Sequence, residues 1–181
     1  MEWDHDSGTS QRLGSMFYPD PRCMKGDTML LVCAFVIGLV AGLRTMMAPA
    51  VVSWFARTGS LAVGGTALAF MGYKYTPIIF TVLAIAELVN DKLPKTPSRK
   101  SPPQFIGRVI TGSLSGATVG AAGQSLVLGL VLGALGAVAG TLGGAAVRGK
   151  LAAAFGRDLP AALLEDAAAI AIAVVALLEL R

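Results

Sequence analysis

The chain has 181 residues, of which 54% are hydrophobic and only 14% charged, against about 25% charged residues in a typical soluble domain. The net charge is +4. The cations lie between apolar runs instead of forming a basic patch, which argues against a nucleic-acid partner. Two cysteines, Cys23 and Cys33, without CxxC spacing argue against a disulfide framework. Composition therefore predicts an all-α integral membrane protein.

The polar and apolar parts of the chain are clearly separated. Residues 1–28 are polar and begin with acidic side chains, so we expect a disordered tail. Residues 29–181 are predicted to form a single transmembrane helical domain. Within this domain a basic, proline-rich linker over residues 92–104 separates two groups of three helices, and its prolines prevent a continuous helix. Its characteristic residues are Pro94, Pro97 and Arg99.

The first predicted helix, over residues 29–55, has two features that do not suit an uninterrupted span. Arg44 and Pro49 both lie inside its apolar run. Because Pro49 lacks the N–H that an internal helical position needs, we expect a kink or a break near residues 44–49. The next apolar stretch, over residues 61–72, is shorter than the about 20 residues of a full span. It is predicted to be either a short span or a re-entrant segment.

Four more helices are predicted from the remaining apolar runs, over residues 77–91, 105–122, 126–147 and 160–180. Cations accumulate on the cytoplasmic side of membrane proteins. If six segments span, Arg57, the linker and a basic loop over residues 148–157 lie on one side, and Lys74 lies on the other. The sequence thus predicts a polytopic bundle of about six helices with both termini outside. Its location would be the plasma membrane, or the inner membrane of a bacterium.

Glycines recur at four-residue spacing along three predicted helices, a pattern typical of helices that pack closely in lipid. We interpret these glycines as packing or oligomer contacts, which are commoner than a glycine-lined pore, and we expect a homo-oligomer in the bilayer. The predicted packing glycines are Gly38, Gly42, Gly112, Gly116, Gly120, Gly136, Gly140 and Gly144.

Ionisable residues inside the predicted spans mark the candidate site. Glu87 and Asp91 are four residues apart and therefore share one helix face. Glu165 lies in the last predicted helix at about the same depth as Glu87, measured from the same side of the membrane, and Asp166 is its neighbour. An isolated charge in hydrocarbon costs about 2.5–3.5 kcal/mol on insertion scales. We therefore expect Arg44 to face inward and contact Glu87, Glu165 or both.

Two interpretations of this polar cluster stay open. In the first, it lines a cavity that binds a cation, a proton or a small solute, and the protein is a transporter or channel. In the second, the same charges are buried ion pairs in a non-transporting structural or accessory membrane protein. Carboxylates at this spacing also offer oxygen ligands of the kind that Mg²⁺ and Ca²⁺ use, although no metal site or cofactor is predicted.

Signatures of enzymes are missing from the sequence. The single histidine, His5, lies in the polar tail, and there is no GxSxG motif, Walker loop or zinc-ligand spacing. We therefore expect no enzymatic activity.

Several segments resemble the DUF4126 family of small multi-spanning membrane proteins. They are Gly42 to Arg44, Glu87 to Arg99, Arg108 with Gly112, and Leu164 to Ala167, and the resemblance covers about residues 30–178. The specific parts are the Glu-x3-Asp-Lys-x-Pro block and the later Glu-Asp pair. The resemblance implies a membrane bundle but no mechanism, since the family is defined by a domain of unknown function. The long acidic N-terminal extension departs from it. The residues carried over are Arg44, Glu87, Asp91, Pro94, Arg99, Glu165 and Asp166.

Overall fold

The computed structural model of the protein describes residues 21–91, 102–155 and 158–180. Within these ranges all regular secondary structure is helical and there is no strand, which confirms the all-α prediction at that level. Six α-helices and one short 3₁₀ helix occur there. They are α1 (Pro21–Leu43), α2 (Met47–Arg57), the 3₁₀ helix (Ala69–Gly72), α3 (Thr76–Asn90), α4 (Pro102–Ala122), α5 (Leu126–Phe155) and α6 (Asp158–Leu178).

The first predicted helix is broken, as expected, and the break lies at residues 44–46. Pro49 falls in the first turn of α2, where a missing N–H removes no intrahelical hydrogen bond. The short span predicted as one alternative for residues 61–72 is wrong, because this segment holds only a 3₁₀ helix. Gly65 has a φ of +80° there, and Met71 is completely buried. The apolar side chains of this segment thus serve packing within the protein.

Helix boundaries elsewhere extend beyond the predicted ones. α1 begins at Pro21, inside the predicted disordered tail, and α4 begins at Pro102, inside the predicted linker. Proline is well suited to a first helical turn. The predicted basic loop over residues 148–157 is wrong up to Phe155, because α5 continues to that residue. Lys, Arg, Leu and Ala all favour helix, so the charges there do not end it.

Close glycine contacts set the directions of α1, α4 and α5. A Cβ added to Gly38 would lie 2.7 Å from the Cα of Gly133, and one added to Gly42 would lie 2.6 Å from the backbone nitrogen of Thr141. Because the residue numbers rise together along both helices, α1 and α5 are parallel. A Cβ on Gly120 would lie 2.8 Å from the Cα of Gly129. Together with the contact between Gly112 and Ala137, this makes α4 antiparallel to α5.

The short helix α2 turns back along α1. Near the start of α4, Arg108 binds the last carbonyls of α1. Leu68, which follows α2, packs on Ala117 and Ala121 near the end of α4. α2 therefore runs in the direction of α4 and opposite to α1, so α1 and α2 form a helical hairpin. This places the end of α2, with Arg57, at the same end of the bundle as the α4–α5 turn. The predicted grouping of Arg57 with the linker is therefore wrong.

The other helices continue this alternation. Trp54 Nε1 in α2 donates to Thr81 Oγ1 in α3 at 3.1 Å, while the start of α2 lies beside the end of α3, so these helices are antiparallel. Cys33 Sγ at the first part of α1 donates to the carbonyl oxygen of Ala176 near the end of α6 at 3.1 Å. α6 is accordingly antiparallel to α1, and consecutive helices alternate in direction throughout.

Both the surface and the interior of the described helices are rich in apolar side chains. Large aliphatic residues are exposed on α3, α5 and α6, with Val82 at 59% and Val127 at 69% exposure. The interior holds a hydrophobic core that includes Ile37, Val40 and Leu177, and it also buries polar side chains such as Ser115 and Thr141, both at 0% exposure. One described helical segment, Leu126–Ala154, is long and apolar enough to cross a membrane. Thr28–Leu43 and Thr76–Asn90 are apolar but shorter.

Candidate functional site

The turn of the α1–α2 hairpin, residues 44–46, is the centre of the candidate site. A break in a helix leaves carbonyl groups without partners on one side and N–H groups without partners on the other. Polar side chains from α3, α4, α5 and α6 converge on this turn. The site is therefore defined by the groups that satisfy the two helix ends.

Glu87 caps the start of α2. Its Oε1 accepts a hydrogen bond from the backbone N–H of Thr45 at 2.8 Å, and its Oε2 accepts one from the N–H of Met46 at 2.8 Å. Met46 occupies the N-cap position and makes no side-chain cap of its own. A carboxylate from α3 thus supplies the cap, and its negative charge suits the positive end of the α2 dipole.

Arg108 caps the end of α1 in the complementary way. Its Nη1 donates to the carbonyl oxygens of Gly42 at 2.6 Å and Leu43 at 2.8 Å. The Oγ1 of Thr141 lies 3.3 Å from the same Gly42 carbonyl oxygen and 2.8 Å from the carbonyl oxygen of Ala137, so its single proton is shared between the two. Arg108 is 2% exposed, and its Nη2 lies 3.8 Å from Glu87 Oε1. A cation at a helix C-terminus is favourable, so the two caps also attract each other.

Arg44 lies in the turn itself and is 1% exposed. Its Nη1 forms a hydrogen-bonded ion pair with Oδ2 of Asp91, and its Nη2 pairs with Oδ1 of Asp166. The contact between Arg44 Nη2 and Asp166 Oδ1 is close but does not have hydrogen-bond geometry. Neither of these two buried atoms makes a hydrogen bond in the described part of the chain. Arg44 thereby connects the end of α3 to α6 through the hairpin turn.

The predicted partners of Arg44 are wrong, although the observed partners lie only a few residues away on the same two helices. We predicted contacts with Glu87 or Glu165, and the structure gives Asp91 and Asp166 instead. Glu87 accepts hydrogen bonds from the backbone N–H groups of the turn. In a continuous helix those N–H groups would already be bonded within the helix. Glu165 pairs with Arg148, whose Nη1 lies 3.6 Å from Glu165 Oε2. The shared face of Glu87 and Asp91 does point to the turn.

Two cations of the site were not among the predicted site residues. Arg108 has a signal in the sequence, because it lies one helical turn inside the apolar run that follows the linker, at a depth similar to the carboxylates. Arg148 was assigned to a loop and not to a helix. We call Arg44, Glu87, Asp91, Arg108 and Asp166 the hairpin cluster. Its two guanidinium groups face three carboxylates, so its formal charge is −1.

A cavity of about 450 Å³ opens beside the hairpin cluster, between α3 and α4. The turn residues Thr45 and Met46 line it together with Glu87, Asp91 and Arg108. Three members of the cluster therefore reach a space large enough for small molecules or ions. Within residues 21–91, 102–155 and 158–180, no three His, Cys, Asp or Glu side chains are grouped so as to hold a metal ion.

The predicted packing glycines lie at the contacts of α5 with α1 and α4. Gly129 and Gly133 of the same helix pack against the glycines of α4. Gly144 is buried on α5. The linker residues Pro94, Pro97 and Arg99 lie outside the described residues. The glycines of α1 and α4 that contact α5 are Gly38, Gly42, Gly112, Gly116 and Gly120. On α5, Gly136 and Gly140 make the corresponding contacts with α1.

No protein-family model matches the chain, and no curated protein or solved structure matches it either. The resemblance to the DUF4126 family is neither supported nor contradicted by these comparisons and stays a prediction. The function of the protein is consequently argued from the geometry of the hairpin cluster and from the surface of the bundle.

Proposed function

We propose that the protein is a multi-spanning integral membrane protein. The support is the distribution of side chains: large aliphatic residues cover the outside of α3, α5 and α6, while the inside combines small and aliphatic residues with close glycine contacts and buried polar groups. In water such a surface would bind other apolar surfaces or aggregate. In lipid it is the expected arrangement, because small residues let helix backbones approach and polar groups bond one another. The predicted homo-oligomer stays a prediction.

In this proposal the α1–α2 hairpin is re-entrant. Thr141, which contacts the end of α1, follows Leu126 by 15 residues, or about 22 Å of helix. The hydrocarbon core is about 30 Å thick. The turn would therefore lie about 8 Å inside one boundary of the core, where every unpaired backbone group is costly. The caps supplied by Glu87 and Arg108 are what makes a reversal at this depth tolerable.

We propose further that the hairpin cluster binds a small cation, a proton or a small solute, and that the protein acts as a transporter or channel. The observation that carries this proposal is a helix interrupted in the interior beside the 450 Å³ cavity. Interrupted helices mark the binding sites of many secondary transporters. The formal charge of −1 favours uptake of one proton or cation over uptake of an anion.

Flux through the purified protein in liposomes tests this proposal. Protons, Na⁺, K⁺ and a panel of small metabolites would be measured separately. We expect flux of at least one of them, and we expect Asp91→Asn to abolish it because that residue lines the cavity. Glu179→Gln, at an exposed position at the end of α6, is the matched control and should not change flux. Equal flux in protein-free liposomes across the panel would refute a transport function.

The alternative is a structural or accessory membrane protein that transports nothing. The observation that favours it is the pairing of Arg44 with two carboxylates and of Glu87 with two N–H groups, since buried ion pairs also serve to fix helix positions. A combined Arg44→Ala and Asp91→Asn variant separates the two functions. If it folds and keeps the activity of the protein, the charges are structural. If it folds and loses flux, they form the transport site.

A further inference from the structure

Aromatic and basic side chains gather at the end of the bundle where α2 ends and α3 begins. A Cβ added to Gly72 would lie 3.3 Å from the carbonyl oxygen of Ala56 and 3.9 Å from the backbone nitrogen of Arg57. The 3₁₀ helix therefore rests against the last turn of α2, and α3 begins shortly after it. We call the exposed side chains of this region the aromatic patch, and they are Trp54, Arg57, Tyr73, Lys74 and Tyr75.

Two contacts orient rings of the aromatic patch without covering them. Trp54 Nε1 donates to Thr81 Oγ1 at 3.1 Å, yet 45% of Trp54 is exposed. Lys74 Nζ lies 5.7 Å from the centre of the Tyr75 ring, within the about 6 Å of a cation–π contact. Tyr73 and Tyr75 are 64% and 66% exposed. A contiguous group of exposed rings is typical of an interaction surface.

The aromatic patch carries positive charge that no carboxylate offsets. Neither Arg57 nor Lys74 forms an ion pair with any residue in the described ranges. The sequence also contains no Asp or Glu between Arg44 and Glu87. The N–H groups of both cations are thus available to an anion, and phosphate is the anion that both side chains bind well.

The order of side chains along α3 matches the order of layers in a bilayer. Tyr75 precedes the first turn of α3. Ile78, Ile79 and Val82 follow within two turns, and all three are exposed. Trp and Tyr are enriched where headgroups meet hydrocarbon, because one part of each ring is apolar and another is polar. A soluble partner protein gives no reason for aromatic and basic groups to be followed by aliphatic ones.

The position of the aromatic patch agrees with the depth of the hairpin turn. Asp91 follows Tyr75 by 16 residues, or about 24 Å of helix. If Tyr75 lies at one boundary of a hydrocarbon core about 30 Å thick, Asp91 lies about 6 Å inside the other boundary. The distance along α5 gave about 8 Å for the turn. Two helices therefore give nearly the same depth from different residues.

We propose that the aromatic patch binds the phosphate layer of a phospholipid bilayer. Arg57 and Lys74 donate to lipid phosphates, and the rings of Trp54, Tyr73 and Tyr75 lie at the level of the headgroups. α3 enters the hydrocarbon directly below them. Every phospholipid carries this phosphate, so no particular headgroup is needed. The proposal rests on the membrane location proposed above but not on transport.

The fluorescence of Trp54 measures the depth of the aromatic patch. The chain has two tryptophans, Trp3 and Trp54, so Trp3→Phe leaves Trp54 as the single reporter. The full chain is placed in phosphatidylcholine vesicles that carry a quenching spin label either near the headgroup or near the end of an acyl chain. We expect the label near the headgroup to quench Trp54 several-fold more strongly than the deep label.

A second reporter on α3 is the matched control. Trp3→Phe, Trp54→Phe and Val82→Trp are combined, which moves the tryptophan to another exposed position. Val82 lies about 10 Å further along the helix than Tyr75. We expect the order of quenching to reverse, with the deep label more effective.

The phosphate contact is tested separately by solid-state NMR of ¹⁵N-lysine-labelled protein in the same lipid without spin labels. Dipolar coupling to ³¹P should reduce one lysine side-chain signal, and that signal should be missing from the Lys74→Gln variant. Lys74 is exposed, so this variant should melt like the unmodified protein. A Lys74 signal that keeps its full intensity under ³¹P coupling would contradict the phosphate contact.

Quenching of Trp54 mainly by the deep label, or by neither label, would overturn the proposal; the second result would mean that protein covers the aromatic patch. Extraction of cell membranes with alkaline carbonate keeps these results separate from the proposed function. If the chain is released, the membrane location itself is wrong. If the chain is retained and Trp54 is shallow but liposomes show no flux, only the transport proposal fails.

Discussion

Glu87→Gln should weaken the structure clearly, because it removes part of the cap of α2. The carboxylate accepts two backbone N–H bonds, one on each oxygen. A glutamine has one carbonyl oxygen and one NH₂ group, so it can cap either Thr45 or Met46 but must present a donor to the other. The substitution therefore removes one charge-assisted hydrogen bond and leaves one buried N–H facing another donor.

The size of the effect follows from these contacts. A hydrogen bond to a charged group contributes about 1.5–3 kcal/mol. Only 15% of the Glu87 side chain is exposed, so solvent screening reduces this little. We expect Glu87→Gln to lower the free energy of unfolding by about 2–3 kcal/mol. For a chain of this size, where 1 kcal/mol shifts Tm by about 2–4 °C, Tm should fall by about 4–12 °C.

The assay is thermal unfolding of the detergent-purified protein, followed by hydrogen exchange. In the variant the amides of Thr45 and Met46 should exchange faster, while amides in the middle of α5 should change little. Glu179→Gln is the control, because its side chain lies at an exposed position. If Glu87→Gln and Glu179→Gln unfold within about 1 °C of each other, Glu87 contributes far less than a charged cap should, and the capping role is wrong.

Three further predictions follow from the same contacts. Arg44→Ala combined with Asp91→Asn should destabilise by less than the sum of the single changes, with a coupling of about 0.5–3 kcal/mol, and additive melting shifts would contradict the ion pair. Gly116→Leu should cost about 1 kcal/mol or more by separating α4 from α5, whereas Gly149→Leu, where a Cβ has open space, should melt normally. A cysteine at Thr58 should react with an impermeant thiol reagent from the same side as the α4–α5 turn. Labelling from opposite sides would refute the α1–α2 hairpin.

Much of the fold could be predicted from the sequence because it depends on strong local signals. Apolar runs located α3, α4 and α6 to within a few residues, and the combination of Arg44 with Pro49 located the break in the first helix. The number of helices also agrees, but for different reasons. One predicted helix is two in the structure, and the predicted segment over residues 61–72 is not an α-helix. Hydropathy cannot separate apolar residues that face lipid from those that pack under a loop.

The partners of the charged residues could not be predicted, because they depend on the path of the chain at the break. Depth along a helix brought Arg44 to the level of Glu87 and Glu165, whereas its partners are Asp91 and Asp166, about one turn and one residue further along those helices. It could not show that α2 reverses, and the reversal creates the free N–H groups that Glu87 binds. A carboxylate that would otherwise pair with a cation is thereby occupied by backbone. The cation Arg108 is likewise used mainly on backbone carbonyls.

The number of charges in the hairpin cluster bears on function beyond stability. One carboxylate and one guanidinium satisfy the two helix ends, and Arg44 needs one carboxylate to be neutralised. The cluster holds a carboxylate more than this, because Arg44 pairs with both Asp91 and Asp166. An uncompensated buried charge costs several kcal/mol unless a proton or a cation offsets it. The two helix caps do not need this extra carboxylate, and it is the group that the proposed uptake of a proton or a cation from the adjacent cavity would use.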